Sequence, residues 1–105
     1  MYLNPWNFQT STDESKIYFK VDFGPSISTL YSLDIDTKQV NKLLEGNIVD
    51  FTPVDNDKLI IQGSLGAHEG LFLYNIQSNL TEQIINTDVQ LFDISSDGKL
   101  AYITT

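Results

Sequence analysis

His68 and Glu69, adjacent in "GAHEG", are the pair in this chain best placed for acid–base or metal chemistry, and His68 is its single histidine. A metal site draws three or more ligands from converging positions, and adjacent residues of a strand point to opposite faces. The surrounding glycines favour a solvated hairpin loop between Ser64 and Gly70, where His68 and Glu69 are polar contacts open to a partner. Serine hydrolysis needs a histidine oriented by an acid beside an activated serine, and the chain has no Gly-x-Ser-x-Gly elbow. Cysteine is absent, which removes disulfides, thiolate metal sites and a cysteine nucleophile. Gly63, Gly66 and Gly70 precede no helix and no Lys-Ser/Thr pair, so they do not make a phosphate loop. No metal, no cofactor and no catalytic residue is expected, and the chain reads as a non-enzyme.

The acids fall into two sets. Asp34, Asp36, Asp55, Asp57 and Asp97 lack the order of a calcium loop, with its central glycine and terminal glutamate. They recur where the chain must turn, and short polar side chains there hydrogen-bond their own backbone. Asp50 and Asp93 instead sit beside Phe51 and Phe92, inside apolar runs. Grouped at the mouth of a channel they would attract a cationic peptide or an ion; alone they are solvated strand ends. A third candidate is aromatic: Trp6, with Tyr2, Pro5 and Phe8, forms either a binding patch or the packing of a first, incomplete unit.

Composition narrows the partner. In 105 residues, 41% hydrophobic, there is enough apolar material for one domain core. The chain carries 6 basic residues against 14 acidic ones, a net charge of -8. Its lysines are dispersed among acids, which excludes the clustered positive charge that nucleic acid requires and disfavours an anionic membrane surface. No apolar run approaches the ~20 residues of a membrane span, and "MYLNPWNFQT" has neither a basic start nor an apolar h-region. A protein or peptide is the expected partner.

The elements that position these residues are set by a repeat. Displaced by 41 residues, "LYSLDIDTKQVNKLLEGNIVDFTPVDNDKLIIQGS" lies over "LFLYNIQSNLTEQIINTDVQLFDISSDGKLAYITT" without a gap: Leu30 meets Leu71, Ile35 meets Ile76, Phe51 meets Phe92 and Lys58 meets Lys99. "DESKIYF" matches "DNDKLII" at a displacement of 42, and Phe8 corresponds to Phe51 after one further inserted residue. A period near 40 residues belongs to helical pairs or to four-stranded propeller blades. The apolar runs are short, rich in Ile, Val, Tyr, Phe and Thr, and bounded by Asp, Asn and Gly, which selects strands. In the middle unit the expected strands are 48–53, 58–63, 70–76 and 81–86. Turns are expected at Asp55-Asn56-Asp57, Ser96-Asp97-Gly98 and Asp34-Ile35-Asp36-Thr37.

"DISSDGKLAYITT" resembles the blade motif of WD-repeat-like propellers, in the Tol-type periplasmic protein and on prolyl oligopeptidase-type enzymes, and "LYSLDIDTKQVNKLLEG" is similar to the next two strands of such blades. The resemblance implies an all-β chain of consecutive four-stranded antiparallel blades, in units of about 1–46, 47–87 and 88–105. A two-sheet β-sandwich is the alternative. Propellers close with about four to eight blades, so about two and a half imply a fragment or a ring completed by a homo-oligomer. The last strand would then be an unpaired edge. The function implied is a non-catalytic protein- or peptide-interaction module; the alternative is part of the substrate-selecting propeller of a larger hydrolase. A Tol-type parent would place it in the periplasm or outside the cell.

Overall fold

The computed structural model describes residues 2–95 and 99–104, with side chains described for 8–95, 99–102 and 104. The expected turn at Ser96-Asp97-Gly98 lies outside the described residues. Every regular element is a strand: β1 (Tyr2–Thr10), β2 (Lys16–Asp22), β3 (Ser28–Asp34), β4 (Val40–Asp55), β5 (Lys58–Leu65), β6 (His68–Asn75), β7 (Leu80–Ile85), β8 (Val89–Ile94) and β9 (Leu100–Thr104). The protein is all-β, and each strand pairs antiparallel with its neighbour in sequence from β1 to β7, with β8–β9 as a separate hairpin.

β4 is longer than the sequence predicts because it serves two strands in turn. Val40 to Gly46 pair with β3, and Asn47 to Asp55 pair with β5. The join is tight at Gly46, where a Cβ would stand 2.9 Å from the Ser64 carbonyl oxygen. Beyond it, side chains from the two halves of the seven-stranded sheet pack face to face. Tyr18 and Leu30 from the first half meet Ile48, Phe51, Leu59, Ile61, Phe72 and Tyr74 from the second in one buried cluster.

Alternation along β5 and β6 assigns the other side chains to the opposite face. There Ile60 and Leu71 pack with Val89, flanked by Leu73, Ile85, Phe92, Ile94 and Leu100. Burying a side chain of this size contributes roughly 1.5–3 kcal/mol. β5 is therefore buried from Leu59 to Gly63 on both faces. A two-layer sandwich leaves one face of each sheet to solvent; here three layers stack, and the middle one is covered twice. The described strands do not close into a ring.

Two bulges at the layer interfaces are each met by a polar side chain from a neighbouring layer. The ladder between β4 and β5 skips Val49, and that between β8 and β9 skips Gln90. The Lys20 ammonium, from the first layer, donates to the Ile48 carbonyl at 2.9 Å and reaches that of Val49 at 3.5 Å. In the second interface Gln62 donates to the carbonyls of Val89 and Gln90. Lys20 and Gln62 match at the displacement of 42, so two different side chains hold equivalent bulges. A buried carbonyl left without a donor costs about 1–3 kcal/mol, which explains why a lysine is kept here at 7% exposure, paired with Asp22 at 3.4 Å.

The acidic turns are built as the sequence predicts. Asp34 accepts from the amides of Asp36 and Thr37, each at 3.0 Å, and Asp55 from that of Asp57 at 2.9 Å. Asn75 accepts from Ser78 at 3.1 Å in the turn equivalent to that at Asp34. Lys38 and Asn79 close these two turns with positive φ of 61° and 59°.

Candidate functional site

His68 and Glu69 are not in a loop. The turn contracts to Gly66 and Ala67, with Gly66 at φ 64°, and the strands run up to it so that Leu65 pairs with His68 and Ser64 with Glu69. A two-residue turn with one positive-φ glycine is sufficient here. Gly63 and Gly70, at the ends of the expected strands 58–63 and 70–76, are paired strand residues at φ 147° and 148°. A Cβ at Gly63 would lie 2.0 Å from the Asn47 carbonyl oxygen, and one at Gly70 1.9 Å from that of Ile85.

An open groove of about 720 Å³ runs beside this turn, lined in part by His68, Glu69, Gln83 and Asp88. Gln83 braces it by donating to the carbonyls of Glu69 at 3.0 Å and Ile85 at 3.3 Å. The Glu69 carboxyl shares a hydrogen bond with Asp88, and that bond and the Asp88 charge raise its pKa above the usual glutamate range. No group of three metal-binding side chains occurs among the described residues. Asp88 was not singled out from the sequence, because it lies 19 positions from Glu69 and only the fold brings them together.

Asp50 and Asp93 lie on successive layers. Asp50 pairs with Gln62 on the middle layer and Asp93 with Ala101 on the hairpin. Each is exposed and turns back to accept from the next amide of its own strand, Phe51 or Ile94, at 2.8 Å. The strands make no closed channel for them to line. Trp6 lies on β1, and its side chain is outside those described. Phe8, its neighbour in the expected aromatic patch, instead begins a ladder along the outer face of the first layer. The Phe8 and Phe19 rings are 6.1 Å apart and those of Phe19 and Tyr31 5.3 Å, on residues paired directly across the three strands.

The most open apolar surface is at the other end of the stack. The third layer has two strands where the middle one has four, and β9 pairs only with β8. Tyr102 stands where Ile61 stands in the middle layer; Ile61 is fully buried and Tyr102 is 46% exposed. Leu91 is exposed on the same hairpin, and Leu80, on the middle layer beyond β9, is 68% exposed. Leu80 lines a shallow groove of about 400 Å³ with Lys58, Leu73, Asn75 and Glu82. These side chains belong to the face of the middle layer that the hairpin covers only in part.

The edge of β9 is also the least protected. β1 contains Pro5, which has no N–H to offer, and β7 carries Glu82. Leu100 to Thr104 have neither proline nor charge, and such edges accept a further strand. Among the described residues no helix is long and apolar enough to cross a membrane. A scan against protein-family models, a search of curated proteins and a search of solved structures return no match for this chain.

Proposed function

We propose that this chain is a run of propeller-type blades acting as a non-catalytic interaction module, which contacts a protein or peptide through the exposed face of the β8–β9 hairpin. The observation that supports this reading most directly is the contrast between Ile61, fully buried, and its counterpart Tyr102, 46% exposed on an uncharged edge strand. The net charge of -8 disfavours acidic partners. An immobilised panel of extended peptides, probed with the purified chain and with Tyr102→Lys, tests it. The wild-type chain is expected to be retained by a subset that Tyr102→Lys does not recognise; equal retention of both, or of neither, contradicts the reading.

A further inference from the structure

Tyr18 is fully buried between the first two layers, and its hydroxyl is the one buried side-chain polar atom among the described residues that has no hydrogen-bond partner. Packing alone does not call for it. At the displacement of 42 the counterpart of Tyr18 is Ile60, which fills the next interface with hydrocarbon only. A buried hydroxyl without a partner is costly, and its presence in a folded chain needs a reason.

The surroundings of the hydroxyl supply one. Strand alternation carries the face of Leu59 and Ile61, which pack with Tyr18, on to Asp57, one step nearer the turn. Asp57 is half-buried there, and its carboxylate takes no hydrogen bond or ion pair from the described residues. Lys58, next to it in sequence, is drawn instead to Asp55 at 4.0 Å. From the first layer, Asp13 accepts from the Ser11 hydroxyl at 2.8 Å and from the Ser15 amide and hydroxyl at 3.0 and 2.7 Å, all on Oδ1, which leaves Oδ2 to other partners. The two turns are in contact, because the Thr12 hydroxyl donates to the Asn56 side-chain carbonyl across the interface. Burial first, and then the charges of Asp13, Asp57 and Asp55, raise the Tyr18 pKa, so the hydroxyl lies in the field of both turns.

We propose that these two turns and Tyr18 form a site for a hard divalent cation of the calcium class, which fastens the first layer to the middle one. The carboxylates of Asp13 and Asp57 balance its charge. The neutral oxygens of Thr12 and Asn56 and water complete its shell, and one of those waters gives the Tyr18 hydroxyl its partner. Neutral donors are needed, since no three acidic or histidine ligands converge among the described residues. Calcium accepts mixed oxygen shells in flexible geometry, whereas magnesium holds its water, and metals that prefer thiolate or imidazole find no ligand here. Two carboxylates on surface turns place the dissociation constant at about 0.1–1 mM, the range of weak extracellular modules. The site is separate from the β8–β9 surface, so either can fail alone.

Terbium(III) is the probe, because it takes calcium sites and emits when a nearby tyrosine is excited. Titrated into the full 105-residue chain, it is expected to give saturable tyrosine-sensitised emission that millimolar calcium displaces and sodium chloride of the same ionic strength does not. Asp57→Asn and Asp13→Asn should each weaken binding at least tenfold. Tyr18→Phe should weaken it about threefold and remove most of the emission at saturation, whereas Glu82→Gln, at an exposed acid on β7, should change neither. Calcium should also raise the melting temperature of the wild type and leave that of Asp57→Asn unchanged. Absence of saturable emission, or displacement by sodium chloride as effective as by calcium, would overturn the proposal, the second by showing diffuse attraction to a net charge of -8. Equal weakening by Glu82→Gln and Asp57→Asn, or undiminished emission from a folded Tyr18→Phe, would place the ion elsewhere and overturn it as well. If Tyr18→Phe does not fold, the contrast between Asp57→Asn and Glu82→Gln decides.

Discussion

At the scale of single residues, the two kinds of site that matter are backbone positions and paired charges. Gly63 and Gly70 sit opposite one another in the middle layer with φ near +150°, each with a carbonyl oxygen where a Cβ would go. Such a conformation is nearly closed to other residues. Replacing Gly70 by alanine is expected to lower the unfolding free energy by about 3 kcal/mol, read as a shift in urea midpoint at unchanged slope. A loss below about 0.5 kcal/mol would mean that the strand relaxes without strain. The Glu69–Asp88 pair makes a second residue-scale prediction. Its raised pKa means that the folded chain holds this proton more tightly than the unfolded chain. Glu69 therefore adds stability below the usual glutamate range, and that contribution is lost as pH rises through the raised value. Asp34 behaves oppositely, because the Thr37 and Asp36 amides lower its pKa; its contribution is present above the usual aspartate range and lost as pH falls through the lowered value. In Asp88→Asn the Glu69 carboxyl, followed by NMR through its side-chain carbon, is expected to titrate at lower pH than in the wild type. An unchanged titration would show that Asp88 is not its partner.

At the scale of elements, the strands were legible and the joins between them less so. Short runs such as Leu59 to Gln62 and Leu71 to Tyr74 could only be strands, because they are too short for helices and rich in β-branched and aromatic residues. The expected 58–63 and 81–86 lie over β5 and β7 with ends displaced by two residues or fewer. The passage of β4 from one layer to the next was missed, since nothing local at Gly46 and Asn47 distinguishes a turn from an extended crossing; the crossing is set by the sheets on either side. His68 and Glu69 were misplaced for a related reason. The run from Ser64 to Glu69 was read as loop, whereas only Gly66 and Ala67 turn, and Gly63 and Gly70 allow close approach of neighbouring backbones. The clasps from Lys20 and Gln62 were hidden because they are chemically unlike and become equivalent only through the repeat. They carry an element-scale prediction: Lys20→Met, which leaves the Ile48 carbonyl only the longer hydrogen bond from the Ser28 hydroxyl at 3.4 Å, should destabilise the chain by about 1–3 kcal/mol. Lys20→Gln, which copies Gln62, should cost less than half as much. Equal losses in chemical denaturation would show that the lysine contributes charge or bulk and not the hydrogen bond.

At the scale of the whole molecule, three layers of unequal completeness leave two apolar surfaces, and they differ in kind. The outer face of the first layer is a finished four-strand surface, on which Phe8, Phe19 and Tyr31 stack on one another. At the far end the β8–β9 hairpin lies over part of the middle layer, and Leu80, Leu91 and Tyr102 are exposed there. An acidic mouth at Asp50 and Asp93 was legible only as a possibility of spacing; once the strands are placed, these acids lie on different layers. The groove of Leu73 and Leu80 was not legible, since their exposure depends on which strand lies above them.

The central claim is that the exposed face of the β8–β9 hairpin is the contact surface of an interaction module. It is tested most directly by mapping the backbone amide resonances of the protein as a peptide retained by the panel is added. The account predicts shifts confined to Leu100–Thr104 and to residues 80–84, with contacts from the peptide to Tyr102. Shifts centred instead on Phe8, Phe19 and Tyr31, or none at saturating peptide, would contradict it.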